Sequence, residues 1–256
     1  MPEPATSLNP PSPELRELLK WRFERIVVFS GAGISAEGGI PTFRSGHNGL
    51  WSEFNPSDLA TPSAWKANKA LVWGWYEWRR GIVQNAQPNA GHRAAAALQE
   101  EFGATVITQN VDDLHERAGA ADVLHLHGSL FAPRCFACAA PHTLTHAPSA
   151  KAARELSPPR CSSCTGYVRP GVVWFGESLP EGVLANAKNL IGQCDLLLVV
   201  GTSGLVQPAA GLIALAPAHT RVVEINPEAT PNTDGVTLSM CCPAGVGLPQ
   251  VLAALR

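Results

Sequence analysis

Charge is scarce in this 256-residue chain. Asp, Glu, Lys and Arg make up 16% of it, and neither sign prevails, with 19 basic and 21 acidic residues and a formal net charge of −2. The lack of a basic excess argues against a nucleic-acid partner, which calls for a cationic face. No run approaches the ~20 apolar residues that a membrane helix needs. The start, from Met1 to Pro13, is proline-rich and lacks the charged-then-apolar order of a secretion signal, so a cytoplasmic protein is expected. Cysteines number seven, an odd count that does not suggest a disulfide framework. Disorder is excluded as well, because 45% of the residues are hydrophobic. A chain of this length can bury roughly 70–75% of its unfolded surface and needs no covalent staple to fold.

Short apolar runs recur along the chain: Arg25–Ser30, Ala104–Thr108, Val123–Leu126, Cys194–Val200, Arg221–Ile225 and a weaker one at Gly235–Ser239. Their length and closure by glycine or polar residues suit buried parallel strands. Helical patterns lie between them, at Pro62–Asn85, Ala90–Glu101, Asp112–Ala118, Glu181–Ile191, Pro208–Ala216 and Pro249–Leu255, after an opening helix started by Ser12-Pro13. This alternation predicts an α/β fold, a doubly wound parallel sheet of Rossmann-like form. Residues 132–170 break the rhythm with four cysteines, six prolines and little periodicity. The expected organisation is a flexible tail over 1–12, a main domain over 13–131 and 171–256, and a small zinc-binding insert over 132–170.

Seven stretches carry chemistry. Gly31-Ala-Gly-Ile-Ser-Ala36 fits G-x-G-x-x-A directly after a strand, where glycines admit a pyrophosphate close to the backbone; a bare glycine turn can equally be structural. Thr108-Gln-Asn-Val-Asp112 sits at a carboxyl strand end, with amides and a carboxylate suited to a ribose and a carboxamide, or alternatively with an Asp that caps the next helix. His125-Leu-His127-Gly128 offers an imidazole at a strand end that can accept a proton near neutrality, against the commoner structural histidine. Cys135-x-x-Cys138 and Cys161-x-x-Cys164, separated by 22 residues, have the all-thiolate pattern of a closed, structural zinc site; a redox pair is the rival. Val172–Glu177 reads as an ordinary strand or as an edge that pairs with an extended peptide. Tyr76 and Arg79 share a helix face among indoles, as a carboxylate receptor or as a solvated Arg on an amphipathic helix. Gly201-Thr-Ser203 and Asn226-Pro-Glu228 are loops at carboxyl strand ends.

In this order, over about residues 14–253, the stretches resemble the sirtuins, NAD-dependent protein-lysine deacylases. The resemblance implies that Gly31, Ala32, Gly33, Ser35, Phe43 and Arg44 surround NAD, that Asn110 and Asp112 form a nicotinamide pocket, and that Gln109 touches a ribose. It implies that Gly201, Thr202, Ser203, Asn226, Glu228 and the backbone of Ala244 hold the adenosine half, and that His127 is the general base. Val173, Phe175, Gly176 and Glu177 would meet the peptide. Tyr76 and Arg79 match the Tyr-x-x-Arg pair of the branch that removes succinyl, malonyl or glutaryl groups. The expected activity is acyl transfer from lysine to ADP-ribose, with one structural zinc ion, acyl-lysine proteins as substrates, no nucleic acid or membrane partner, and a monomeric state. A protein ADP-ribosyltransferase and a non-catalytic NAD sensor are the alternatives.

Overall fold

A computed structural model describes residues 10–41, 55–144 and 155–256. Its first helix, α1 (Pro13–Leu19), starts as its sequence requires: Ser12 is extended, and its hydroxyl accepts the Leu15 N–H at 3.2 Å, with Pro13 at the first helical position. The chain then enters β1 (Ile26–Ser30), whose five residues are all buried. There follow α2 (Gly33–Ala36), α3 (Pro56–Leu59), α4 (Pro62–Ala67), α5 (Lys69–Asn85) and α6 (Ala90–Phe102). Next come β2 (Thr105–Thr108), α7 (Leu114–Arg117), β3 (Leu124–His125), β4 (Gly128–Cys135), β5 (Val168–Val172) and α8 (Glu181–Ile191). The chain closes with β6 (Leu196–Val200), a 3₁₀ segment at Ala209–Leu215, β7 (Arg221–Ile225), β8 (Leu238–Met240) and α9 (Ala244–Leu255).

Six strands form one parallel sheet in the order β3-β2-β1-β6-β7-β8, and β4 pairs antiparallel with β5 in a separate ribbon. Side chains of the two central strands alternate between faces. Ile26 and Val28 of β1, with Leu196, Leu198 and Val200 of β6, pack under α1, α6 and α9. Val27, Phe29, Leu197 and Val199 pack under α8 and the 3₁₀ segment. Both faces are dry, which is why these runs are apolar at every position but Ser30, whose hydroxyl is hydrogen-bonded to Thr108; each full burial of an apolar side chain contributes about 1.5–3 kcal/mol. A third core lies off the sheet, where Trp65, Trp75 and Tyr76 from α4 and α5 meet Leu130, Val168, Val172 and Trp174 from the ribbon side.

Several expected boundaries move. The single helix expected over Pro62–Asn85 is two helices: Asn68 is extended (φ −147°), and its side-chain oxygen caps α5 by accepting the Leu71 N–H at 3.0 Å. A local cap here outcompetes propagation. The helix expected to open at Asp112 begins at Leu114, because the Asp112 carboxylate accepts the Leu114 N–H and the Ser35 hydroxyl. The last helix begins five residues before Pro249; one backbone donor is missing there, but Leu248, Val251 and Leu252 are buried in the first core. Pro208–Ala216 is a 3₁₀ segment, and the weak strand expected at Gly235–Ser239 sits at Leu238–Met240. The β4–β5 ribbon was not expected from the pattern.

Candidate active site

The strand order turns back at β1, with β2 on one side and β6 on the other, and the loops after β1 and β6 leave the sheet side by side. A switch of this kind opens a crevice at the carboxyl rim. Here the two loops cross backbone on backbone: the Gly33 N–H donates to the Gly201 carbonyl at 2.8 Å, and the Gly31 N–H to the Val200 carbonyl at 2.9 Å. A Cβ on Gly33 would lie 2.7 Å from the Gly201 Cα. Gly201 also has φ +59°, and a Cβ there would lie 2.5 Å from the Ile34 nitrogen. Only glycine fits this crossing.

Above it lies a cavity of about 610 Å³. Gly31, Ala32, Gly33 and Ser35 line one end together with Gly201, Thr202 and Ser203; Asn226 and Glu228 reach the same end from the loop after β7. The Asn226 amide donates to the Thr202 carbonyl at 2.8 Å and ties the two loops together. The middle is lined by Gln109, Asn110, Asp112 and His127, and the far end by Tyr76, Arg79, Val173, Phe175, Gly176 and Glu177.

The floor of the middle section is a buried polar network. Ser35 Oγ donates to Asp112 at 3.0 Å, accepts from Asn110 Nδ2 at 3.0 Å, and touches His92 Nε2 at 3.3 Å. Below it, Ser30 Oγ meets Thr108 and His115 at 2.9 Å each. Burial pushes His92 down to about 4 and His115 down to about 3, so both are neutral at pH 7. Burial raises Asp112, against the Leu114 N–H and the Ser35 hydroxyl, which lower it. Gln109 Nε2 is buried and has no partner among the described residues. A buried donor left open at a cleft is a place for a ligand acceptor.

His127 lies just beyond the end of β3. Its Nδ1 contacts the Gln109 carbonyl at 2.9 Å. A carbonyl only accepts, so Nδ1 carries the proton, and in the neutral ring Nε2 holds the lone pair. Burial lowers the His127 pKa and the Gln109 carbonyl partly restores it, which leaves the neutral, basic form dominant at pH 7. His125 is different. Its Nδ1 contacts the Asn110 carbonyl at 3.0 Å and its Nε2 the Glu116 carboxylate at 2.6 Å. Burial lowers its pKa, but the Glu116 carboxylate and the Asn110 carbonyl outweigh that and raise it.

At the far end, Tyr76 and Arg79 lie one turn apart on α5, as their spacing predicts. The Arg79 guanidinium sits 4.9 Å from the Trp75 ring centre. Burial lowers its pKa, while Tyr76 and Asp112 raise it. Trp174, in the segment after β5, was not singled out in the sequence, yet its indole donates to the Tyr76 hydroxyl at 3.0 Å. Both Glu177 carboxylate oxygens are taken by Arg169, at 2.5 and 2.9 Å, so this residue lines the cavity already paired. Val173 donates its N–H to the His127 carbonyl at 2.8 Å, and Phe175 donates to the Ala60 carbonyl at 2.9 Å. Val172–Glu177 is therefore no continuous strand: only Val172 belongs to β5.

The four cysteines Cys135, Cys138, Cys161 and Cys164 converge, with all four sulfurs within 4.8 Å of one another. Two of the separations are 3.4 and 3.8 Å. Zinc–sulfur bonds of about 2.3 Å in a tetrahedron give edges of about 3.8 Å, so the set fits one zinc ion with no open coordination position. Backbone N–H groups point at the sulfurs, from Ala137 to Cys135 at 3.3 Å and from Ser163 to Cys161 at 3.4 Å. Donors of this kind lower both thiol pKa values and favour the thiolate a metal requires.

Two placements differ from the rest. Phe43 and Arg44 lie outside the described residues. Ala244 opens α9, packs behind Gly91 and is not among the residues lining the cavity. Leu205, Val206, Gln207 and Ala229–Pro231 also line it. They flank Gly201–Ser203 and Asn226–Glu228, and that adjacency was the one signal by which sequence reading could have reached them.

Comparison with known proteins agrees with this geometry. The Sir2 family profile matches residues 31–208. Over 232 residues the chain is 54% identical to NAD-dependent protein deacylase 1 of Pseudomonas aeruginosa, covering 89% of this chain and 93% of that protein. It is 51% identical to the NAD-dependent protein deacylase of Mycobacterium tuberculosis, covering 90% and 98%. A crystal structure of a Sir2 homologue in complex with NAD superposes with a TM-score of 0.85 at 42% identity, covering 94% and 92% of the two chains.

Proposed function

The chain belongs to the Sir2 family and is an NAD-dependent protein deacylase, and from that premise we propose that it prefers lysine acyl groups ending in a carboxylate, succinyl or malonyl before acetyl. The observation that carries the preference is the placement of Tyr76 and Arg79 in the cavity that His127 also lines. A phenol and a guanidinium one turn apart can both donate to one carboxylate. An anionic acyl end would also favour the Arg79 cation, which lies against the Trp75 ring and whose pKa burial lowers.

When bound, NAD supplies a ribose carbon from which nicotinamide can leave and which an acyl oxygen can attack. The work of the protein is to orient and to move one proton. The main-chain crossing at Gly31, Gly33 and Gly201 lets a dinucleotide lie against bare backbone. Thr202, Ser203, Asn226 and Glu228 hold the adenosine half, and Ala32 and Ser35 the phosphate side. Gln109 donates its open N–H to a ribose oxygen. Asn110 and Asp112, both held by Ser35, take the nicotinamide carboxamide. His127, with Nδ1 fixed on the Gln109 carbonyl, takes a ribose hydroxyl proton on Nε2. Val173, Phe175 and Gly176 border the path of the lysine. The zinc ion is structural and braces the insert over 132–170, which works with a main domain over 13–131 and 171–256. We further propose a monomer without a nucleic-acid or membrane partner; no helix among the described residues is long and apolar enough to cross a membrane.

The test is a panel of acetyl-, malonyl-, succinyl- and glutaryl-lysine peptides with NAD, read as nicotinamide release and peptide mass. Arg79→Met should lower desuccinylation by ~30-fold or more, since loss of a buried charge partner costs about 2–5 kcal/mol. Deacetylation should fall far less. Equal losses on the two substrates would overturn the preference, and ADP-ribose found on the peptide would overturn deacylation as the reaction.

A further inference from the structure

We infer that Trp174 is a positioning residue that sets acyl selectivity: its indole N–H occupies the Tyr76 oxygen and so aims the single Tyr76 hydroxyl proton at an anionic acyl end. The inference rests on the reading that Tyr76 and Arg79 receive such an end.

The argument begins with what each group can do. An indole nitrogen only donates. At 3.0 Å and fully buried, Trp174 Nε1 therefore makes the Tyr76 oxygen an acceptor. Tyr76 keeps its own proton, because burial pushes its pKa up to about 12 against the opposing pull of Arg79 and the Trp174 bond. A phenol O–H prefers the plane of its ring, which offers two directions. The indole N–H already donates to the oxygen at 3.0 Å, so the phenol proton turns to the direction away from it. No acceptor for that proton is found among the described residues. Tyr76 and Arg79 thus present donors, and no lone pair of the phenol is turned toward an incoming carboxylate.

The indole is itself enclosed and gripped on its sides. Trp174 is 1% exposed, and the Arg169 guanidinium stacks 3.4 Å from its ring centre. Its backbone N–H donates to Glu177 at 2.9 Å, and Arg169 grips the same carboxylate while donating to the Val172 carbonyl at 2.9 Å. Arg169 and Glu177 thereby fix the indole, and the indole fixes the phenol. An acetyl group, which ends in a methyl, has no use for a donor in that place, so the effect of Trp174 should depend on the acyl group.

Trp174→Phe keeps an aromatic slab and deletes the N–H. The full chain with NAD and matched succinyl- and acetyl-lysine peptides should show the succinyl-to-acetyl ratio of kcat/KM falling by about tenfold, chiefly through KM of the succinyl peptide. In a Tyr76→Phe background the same change should leave the ratio where it was. An unchanged ratio with Tyr76 present, or an equal fall with Tyr76 absent, would overturn the inference. A second measurement does not depend on that variant folding. In the ¹⁵N-labelled wild-type chain, the Trp174 indole resonance should keep its hydrogen-bonded position when succinyl peptide binds and lose it in Tyr76→Phe. Loss of that position on peptide binding would mean that the phenol swings away, and the inference fails. If Arg79→Met proves unselective, the carboxylate reading falls and this one with it. If Arg79→Met is selective while Trp174→Phe is not, only the role of Trp174 falls.

Discussion

The two ends of the cavity recognise by opposite means. At the sheet end the surface is backbone: Gly31, Gly33 and Gly201 interlock, and beneath them Ser30, Ser35, Thr108, Asn110 and Asp112 are joined in a buried polar network. At the far end the surface is side chain: Tyr76, Arg79 and Trp174 line it, with the Arg79 guanidinium against the Trp75 ring and the Trp174 indole bonded to Tyr76. A backbone surface recognises what all NAD molecules share and tolerates little change. A side-chain wall can be altered residue by residue, and that is where a family on one scaffold would separate its substrates.

Four results would break or sharpen that contrast. The largest belongs to the residue between the two ends. His127→Ala should cost at least 10²–10⁴-fold in turnover, the usual worth of a positioned base, while calorimetry finds NAD binding nearly unchanged; an active variant would remove His127 from the reaction. Next is the pairing of Gly201→Ala with Arg79→Met. The first should lower stability by about 1–3 kcal/mol and weaken NAD binding whatever the acyl group, because φ +59° and the Ile34 nitrogen leave no room for a methyl. The second should leave NAD affinity alone and discriminate among peptides. Cross-effects would blur the two ends into one.

Third is acid stability. His92 and His115, at about 4 and about 3 in the folded chain, sit below the ordinary histidine value of about 6.5. The unfolded chain binds these protons first, so stability is full above about pH 6.5 and falls as pH drops toward 4, by up to about 1.4 kcal/mol per pH unit for each group. Denaturant midpoints between pH 7 and pH 4.5 check this; a flat profile would mean that the polar floor is wetter than it looks. The smallest effect has the opposite sign. The His125 pKa is raised, so its pairing with Glu116 stabilises below the unfolded value and is lost as pH rises through the folded one. Glu116 is 42% exposed, so solvent screening holds this to about 0–1 kcal/mol. Histidine NMR titration of the wild type against Glu116→Gln reads it directly.

The sheet was legible because its central strands are nearly continuous apolar runs that end in glycine or a polar turn. The glycine turn at Gly31–Gly33, each of the two C-x-x-C pairs and the Tyr76–Arg79 spacing were legible because each requirement falls within a few neighbouring residues; the crossing of that turn with Gly201 was not. What escaped is nonlocal or runs against propensity. The β4–β5 ribbon contains Pro133, Pro170 and Gly171, poor strand residues on any scale, and is held by pairing between segments far apart in sequence. Trp174 finds its partner 98 positions away, so nothing near it signals a role. Asn68 sits inside a long apolar-periodic stretch and breaks it only because its side chain finds the Leu71 amide.

The interlocked glycine turns carry one more consequence. Where main chain meets main chain there is no dial to adjust, since every possible replacement adds an atom to a space that holds none. With the dinucleotide lying as proposed, natural drift or an engineer seeking a weaker or tighter grip on it would have to leave this knot alone and act at its margins, where Gln109 and Glu228 line the cavity.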